Sequence, residues 1–389
     1  MNPHSRTGTQ ISNDIWNGGK RVKEQFSSRV KGLEISGIRK IFEAAGPDSI
    51  NLGLGQPDFD TPQHIKDAAI AAIRAGKTGY TANTGIPELR DAISAKFGKE
   101  NEVSYTPDQI IVTAGASEAL HIVMQALVSE GDRVLCADPG FVSYAALATL
   151  AGGRPVGVPL DEMFHIDIGQ AQELMDGSRL FVLNSPANPT GAVESRESIK
   201  ALVEYANDAG VTIVSDEVYE HFIYGKKHWS AARFGDNVIT INAASKTYAM
   251  TGWRLGYLAA SPEIVGQCLK VHQYCQACAT SISQYAALAA YTGDQAPVRL
   301  MRDEYRARRD LFCEGLSALG FSFPVPEGAF YAFVPMEPAL VRKIIDLGVI
   351  LTPGSAFGVN APDYARLSYA ASRDNLRQAL DRIKKATGE

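Results

Sequence analysis

Six short apolar runs dominate the middle of the chain, at residues 110–113, 133–136, 181–183, 211–214, 238–241 and 257–260. Each run is continuous rather than alternating, so a strand formed there must be buried on both faces. Stretches with helical spacing separate several of them, among them 117–128 and 195–209. Ser195 stands as the N-cap of the second stretch and Gly210 lies just past its end. Strands buried on both faces and joined by helices form a mostly parallel sheet in an α/β layer. Sheets of that kind hold ligands beyond the carboxyl ends of their strands. Gly115, Asn188, Asp216 and Lys246 all follow an apolar run at that end.

The pattern changes near residue 292. Residues 297–319 read as a long Arg-rich amphipathic helix, 330–334, 349–352 and 365–369 as strands, and 373–386 as a last helix. The expected division is an N-terminal leader with part of a small domain (1–50), a large domain (51–292) and a small C-terminal domain (293–389). The fold expected is α/β: a large domain with a mostly parallel central sheet flanked by helices, plus a smaller α/β domain built from both chain ends.

A chain of 389 residues is long for one small core. Its net charge of −5 gives no basic surface of the kind that grips nucleic acid. Five cysteines in no framework spacing fit reduced thiols in a cytoplasm. The CxxC of Cys275 and Cys278 reads as two buried helical thiols rather than a metal or redox pair. No apolar run reaches membrane-spanning length, and residues 1–25 lack the apolar core of a signal peptide.

Lys246 follows the run 238–241 directly. A desolvated amine there loses its proton more easily, and the neutral amine attacks carbonyls. Taken alone it reads more readily as a solvated or ion-paired lysine. Asp216 is a carboxylate delivered to the sheet edge by an apolar run, and it needs a cationic partner. A protonated pyridine nitrogen is one such partner, and a cap on the next helix is the plain alternative. Arg254 lies among glycines and apolar residues in 251–257, a setting that suits a phosphate. Gly115-Ala116-Ser117 opens a helix after a strand, where backbone N–H groups and the helix dipole attract the same phosphate. The loop 184–191 carries two prolines and an exit glycine, stiff enough to hold the Asn188 amide in place. Arg366 begins an apolar strand and suits either a substrate carboxylate or an interdomain ion pair.

Together these residues resemble the class I/II aminotransferases, fold type I, aspartate aminotransferase-like. The likeness runs from about residue 32 to the C-terminus. It rests on Ser245-Lys246 with 251–256, the loop 188–191, Asp216 with Tyr219, and Arg366. The resemblance implies pyridoxal 5'-phosphate as cofactor and an amino acid and a 2-oxo acid as substrates. It implies that Lys246 binds the cofactor covalently and shuttles a proton, and that Asp216 pairs with the pyridine nitrogen. Asn188 and Tyr219 would bond the ring oxygen, and Phe141 would stack on the ring. Gly115, Ala116, Ser117, Ser245 and Arg254 would form the phosphate cup. Gly55 and Arg366, with Asn188, would bind the α-carboxylate. Tyr80 resembles a tyrosine that reaches the neighbouring subunit's phosphate, which requires a homodimer.

The resemblance also implies a ping-pong cycle, with closure of the small domain and the segment 36–38 over the substrate. Aspartate with 2-oxoglutarate ranks first. Some bacterial relatives carry a lysine where this chain has Ser117, so Arg39 or another N-terminal residue would have to replace its charge. Tyr331 and Phe357 would otherwise line a pocket for aromatic or apolar side chains. A C–S lyase on the same fold is the rival chemistry, and a regulator with an appended DNA-binding domain is the non-enzymatic rival.

Overall fold

A computed structural model describes residues 26–33, 46 and 48–388. The leader 1–25, the segment 36–38 and Arg39 lie outside the described residues. Residues 26–33 include a four-residue helix, Ser28–Lys31, in a unit of their own. Everything below concerns the second unit.

Twelve strands form three sheets: β1 (Ile50–Asn51), β2 (Ile110–Thr113), β3 (Arg133–Asp138), β4 (Arg154–Pro159), β5 (Leu180–Asn184), β6 (Thr212–Asp216), β7 (Val238–Ala243), β8 (Gly256–Ala259), β9 (Tyr331–Pro335), β10 (Val349–Ile350), β11 (Thr352–Pro353) and β12 (Tyr364–Ser368). The central sheet has seven strands in the order β2-β8-β7-β6-β5-β3-β4. Its β4-β3-β5-β6-β7 portion is parallel, while β8 runs antiparallel to both neighbours. Helices flank the sheet, as the continuous apolar runs require. Val134, Val182 and Val214 pack on one face with Val265 and Cys268 of the helix Pro262–Cys275. Leu135, Phe181, Leu183 and Ile213 pack on the other with Ile199, Leu202 and Val203 of the helix Arg196–Ala209. Each such side chain stabilises the fold by about 1.5–3 kcal/mol relative to exposure. The helix Arg196–Ala209 begins and ends as its sequence requires: Ser195 accepts the Ser198 N–H, and Gly210 takes a left-handed φ of 70°.

The sequence did not disclose four details. The strand β4 was not foreseen, because Pro155, Gly157 and Pro159 are poor strand residues; it survives at the sheet's edge, where prolines are tolerated. The antiparallel direction of β8 is invisible to a pattern that reports only two-faced burial. The single strand expected at 349–352 is two short ones, because β10 pairs with β1 and β11 with β12 in different sheets. Finally, the helix Pro262–Cys275 stops at the first cysteine of the CxxC. Cys275 is therefore exposed and Cys278 half-buried, and all five cysteines are free.

The sheet β11-β12-β9 sets a second wall. Along β12, Ala365 and Leu367 point into the core, so the two-residue period turns Arg366 to the opposite face. Among the described residues no helix is long and apolar enough to cross a membrane.

Candidate active site

The carboxyl ends of β5, β6 and β7 and the amino end of β8 meet at one edge of the central sheet. A cleft of about 300 Å³ opens there, walled by Gly55, Ala116, Ser117, Phe141, Asn188, Asp216, Tyr219, Ser245, Lys246, Arg254 and Arg366. Gly115 supports the rim as N-cap of the helix Ala116–Leu127. Tyr80 stands apart from this cleft and is 91% exposed. Phe357 is buried behind Arg366 and does not belong to the wall, whereas Tyr331 does.

Lys246 lies in the one-turn helix Ala244–Thr247 that β7 runs into. Its Nζ donates to the Gly55 carbonyl at 2.7 Å. Burial, then the charges of Arg366 and Arg254, bring its pKa down to about 8 against the pull of Asp216. Close to neutral pH this amine is readily available in its nucleophilic form.

Asp216 ends β6 and is 4% exposed. Its Oδ2 accepts from the Tyr144 hydroxyl at 2.8 Å, and its Oδ1 accepts the Val218 N–H at 3.3 Å. Burial pushes its pKa up to about 6, and Lys246 acts on it only through space. Among the described residues it has no ion pair. It does not act as the cap of a following helix; the neighbouring Glu217 instead binds Ser215, Ser230 and His228.

Arg366 is the mirror case, a guanidinium 2% exposed. It donates to Asn188 Oδ1 at 2.8 Å and to the Gly53 carbonyl at 2.6 Å, while its Nε has no partner. Its plane is stacked near the Tyr331 and Phe357 rings, 4.4 and 4.8 Å from their centroids. Burial lowers its pKa, and among the described residues no carboxylate offsets that.

At the rim, Arg254 holds a left-handed φ of 51° and donates to the Thr251 carbonyl at 2.9 Å. Gly115 has φ 84°, and a Cβ there would lie 2.7 Å from Arg254 Nη2. Gly256 sits between Thr113 and Ala243 in the sheet, and a Cβ on it would meet the Ala116 amide nitrogen at 2.6 Å. The glycines thus let the arginine and the helix start approach each other. Among the described residues no side chain caps the amides of Ala116 and Ser117.

Asn184 and Tyr144 also line this wall and had no role assigned from the sequence. Asn184 lies opposite Asp216 in register, donates to its backbone carbonyl at 3.0 Å, and accepts the Asn188 N–H at 2.8 Å. The signal was available: a polar residue ends an apolar run, as Asp216 does. Tyr144 gave no such signal, because its tie to Asp216 crosses from a helix to the sheet edge.

A mostly parallel sheet gathers around one cleft an amine, a carboxylate and a guanidinium, the last two without ion-pair partners among the described residues. Residues 47–383 match the model of the family "Aminotransferase class I and II", and the chain belongs to that family. A "Probable aspartate aminotransferase" of Methanocaldococcus jannaschii is 46% identical over 371 residues, spanning 92% of this chain and 99% of that one. Aromatic-amino-acid aminotransferase 2 of Thermococcus litoralis is 38% identical over 383 residues, spanning 94% and 98%. The structure of a Thermus thermophilus aspartate aminotransferase with maleate superposes with a TM-score of 0.89 at 38% identity, covering 93% of this chain and 99% of that one. The protein is a transaminase, and its family is pyridoxal-phosphate-dependent.

Proposed function

We propose that this transaminase moves the amino group of aspartate to 2-oxoglutarate in a ping-pong cycle, with pyridoxal 5'-phosphate held in the cleft. The observation that carries the reading is the set of uncompensated charges. Among the described residues Asp216 is a buried carboxylate lacking a paired cation and Arg366 a buried cation lacking a carboxylate, and Lys246 is an amine whose pKa is brought down to about 8. A protonated ring nitrogen and a substrate α-carboxylate are the ions such a pair fits. Arg254, Gly115, Ala116, Ser117 and Ser245 suit the phosphate.

The bound cofactor supplies an aldehyde carbon and a ring that draws electrons from the substrate's Cα. This chain's own residues do the rest. Lys246 Nζ would hold the cofactor covalently and would carry the substrate's Cα proton. Asp216, fixed by Tyr144 and the Val218 amide, would keep the ring nitrogen charged. Asn188 and Tyr219 would bond the ring oxygen, and Phe141 would cover the ring. Gly55 and Arg366, with Asn188, orient the α-carboxylate. Closure of 293–389 over the substrate would exclude water. Two copies pair so that Tyr80, exposed here, reaches the neighbour's phosphate. Free thiols suit a reducing cytoplasm.

Ser117 supports a second reading. It is a neutral side chain in the cleft wall, so a broad or aromatic aminotransferase follows if no other residue meets the distal carboxylate. A half-reaction screen decides. Each amino acid is mixed with holoenzyme while the cofactor's visible absorbance is followed. Aspartate and glutamate should bleach it fastest; faster bleaching by phenylalanine or tyrosine selects the second reading. Bulk ammonia release without a 2-oxo acid would select a lyase.

A further inference from the structure

The cleft contains a hydroxyl pair that the roles above leave half used. Tyr219 and Tyr331 place their phenol oxygens 2.7 Å apart, both buried, at 4% and 1% exposure. Tyr331 reaches this point from β9, and Tyr219 from the loop after β6. The Tyr331 hydroxyl also lies over Gly55, whose carbonyl holds Lys246; a Cβ on Gly55 would fall 2.1 Å from it. Glycine at 55 is thus required by Tyr331 as much as by any ligand. On its other side the Tyr331 ring carries the Arg366 guanidinium at 4.4 Å. Tyr331 therefore touches Tyr219 and Arg366, proposed for the ring oxygen and the α-carboxylate, and it packs on Gly55, whose carbonyl accepts from Lys246.

Each phenol has one proton to donate. One of those protons occupies the bond between them. If Tyr219 donates to Tyr331, Tyr219 has only lone pairs left for a ligand. If Tyr331 donates, the Tyr219 proton is free, and the bond it receives strengthens its own donation. A cation against the ring face draws electrons from Tyr331 more directly than from Tyr219. The more acidic phenol is the better donor. Burial raises both pKa values and Arg366 lowers both, but for Tyr331 its charge is second only to burial, whereas Tyr219 is left well above the ordinary phenol.

We propose that Tyr331 is a positioning residue that donates its hydroxyl proton to Tyr219 and thereby orients Tyr219 as the donor to the cofactor's ring oxygen. This rests on the cofactor reading given above. Its function is to lower the negative charge on that oxygen, which in turn makes the neighbouring imine nitrogen easier to deprotonate.

The test is the visible absorbance of the holoenzyme titrated with pH, in wild type and in Tyr331→Phe. The phenylalanine keeps the ring under Arg366 and removes only the hydroxyl. The spectral midpoint should rise by about half a pH unit in the variant, because Tyr219 becomes a weaker donor. In a Tyr219→Phe background the same substitution should shift the midpoint by much less. A midpoint that falls would mean that Tyr219 was the donor, and an unchanged midpoint would mean that Tyr331 only packs; either overturns the proposal. A shift that persists undiminished in the Tyr219→Phe background overturns it as well. If the wild type has no visible band, the cofactor reading itself fails, which is a separate result. Circular dichroism and the retained KM for the amino donor check that the variant is folded with Arg366 in place.

Discussion

Asp216 and Glu220 are two buried carboxylates on the same short stretch, and they have opposite surroundings. Glu220 is bonded by Lys96, by Asn101 at 2.7 Å and by Asn242 at 2.6 Å. Burial alone would push its pKa up, but Lys96 and the nearby His221 and His228 pull it well below the usual carboxylate range. Asp216 has hydrogen bonds and no cation, and burial leaves it near 6. The arginines divide in the same way. Arg308 is buried between Asp58 at 2.7 Å and Glu304 at 2.9 Å, whose bonds outweigh burial and raise its pKa. Arg366 has neutral partners only among the described residues. A charge that the protein neutralises for itself ties elements together. A buried charge it leaves open costs stability until a ligand arrives, and it is a sign of function.

The contrast can be broken in order of expected effect. Lys246→Ala should lower turnover by at least about 10⁴-fold, measured as kcat with saturating substrates. Asp216→Asn should cost at least about 10³-fold in kcat and yet stabilise the apo protein by about 1–3 kcal/mol at pH 7.5. The sign follows from linkage: the folded pKa near 6 lies above the unfolded value of about 3.9, so stability falls as pH rises between them. Thermal melts should therefore show the gain at pH 7.5 and its disappearance by about pH 4. Glu220→Gln should do the reverse, costing about 3–5 kcal/mol because Lys96 is stranded, while the folded fraction keeps its cofactor spectrum. If Asp216→Asn destabilised the apo protein as Glu220→Gln does, the distinction would be void.

The arginines give a smaller pair of effects. Arg366→Ala should raise KM about 10- to 100-fold for every amino acid, since the α-carboxylate is common to all. Arg308→Ala should leave KM alone and lower the melting temperature. The gentlest test is pH. Cofactor capture by the apo protein should quicken as pH rises through about 8, where Lys246 loses its proton. Stopped-flow absorbance would follow it, and a rate flat across that range would contradict the environment assigned to Lys246.

Much of this contrast was legible in the sequence. A continuous apolar run ending in a charged residue is enough to bring Asp216 and Lys246 to one sheet edge, because the sheet's parallel order does the rest. Arg366 was legible as an arginine within an apolar strand, but its status was open between carboxylate site and ion pair. Only the fold reveals that no acid stands opposite it among the described residues, whereas Arg308 meets Asp58 from far along the chain. Tyr144 and the Tyr219–Tyr331 bond were hidden for the same reason: each joins elements whose proximity depends on tertiary packing. The edge strand β4 was hidden by its prolines, which local propensity counts against a strand and an edge position tolerates.

The most direct test of the account is where the cofactor becomes fixed. Purified holoenzyme is reduced with borohydride and digested, and the peptides are weighed. The account predicts one phosphopyridoxyl group, on the peptide containing Lys246, and none in Lys246→Ala. A label on another lysine, or a protein that takes up no pyridoxal phosphate, would contradict it.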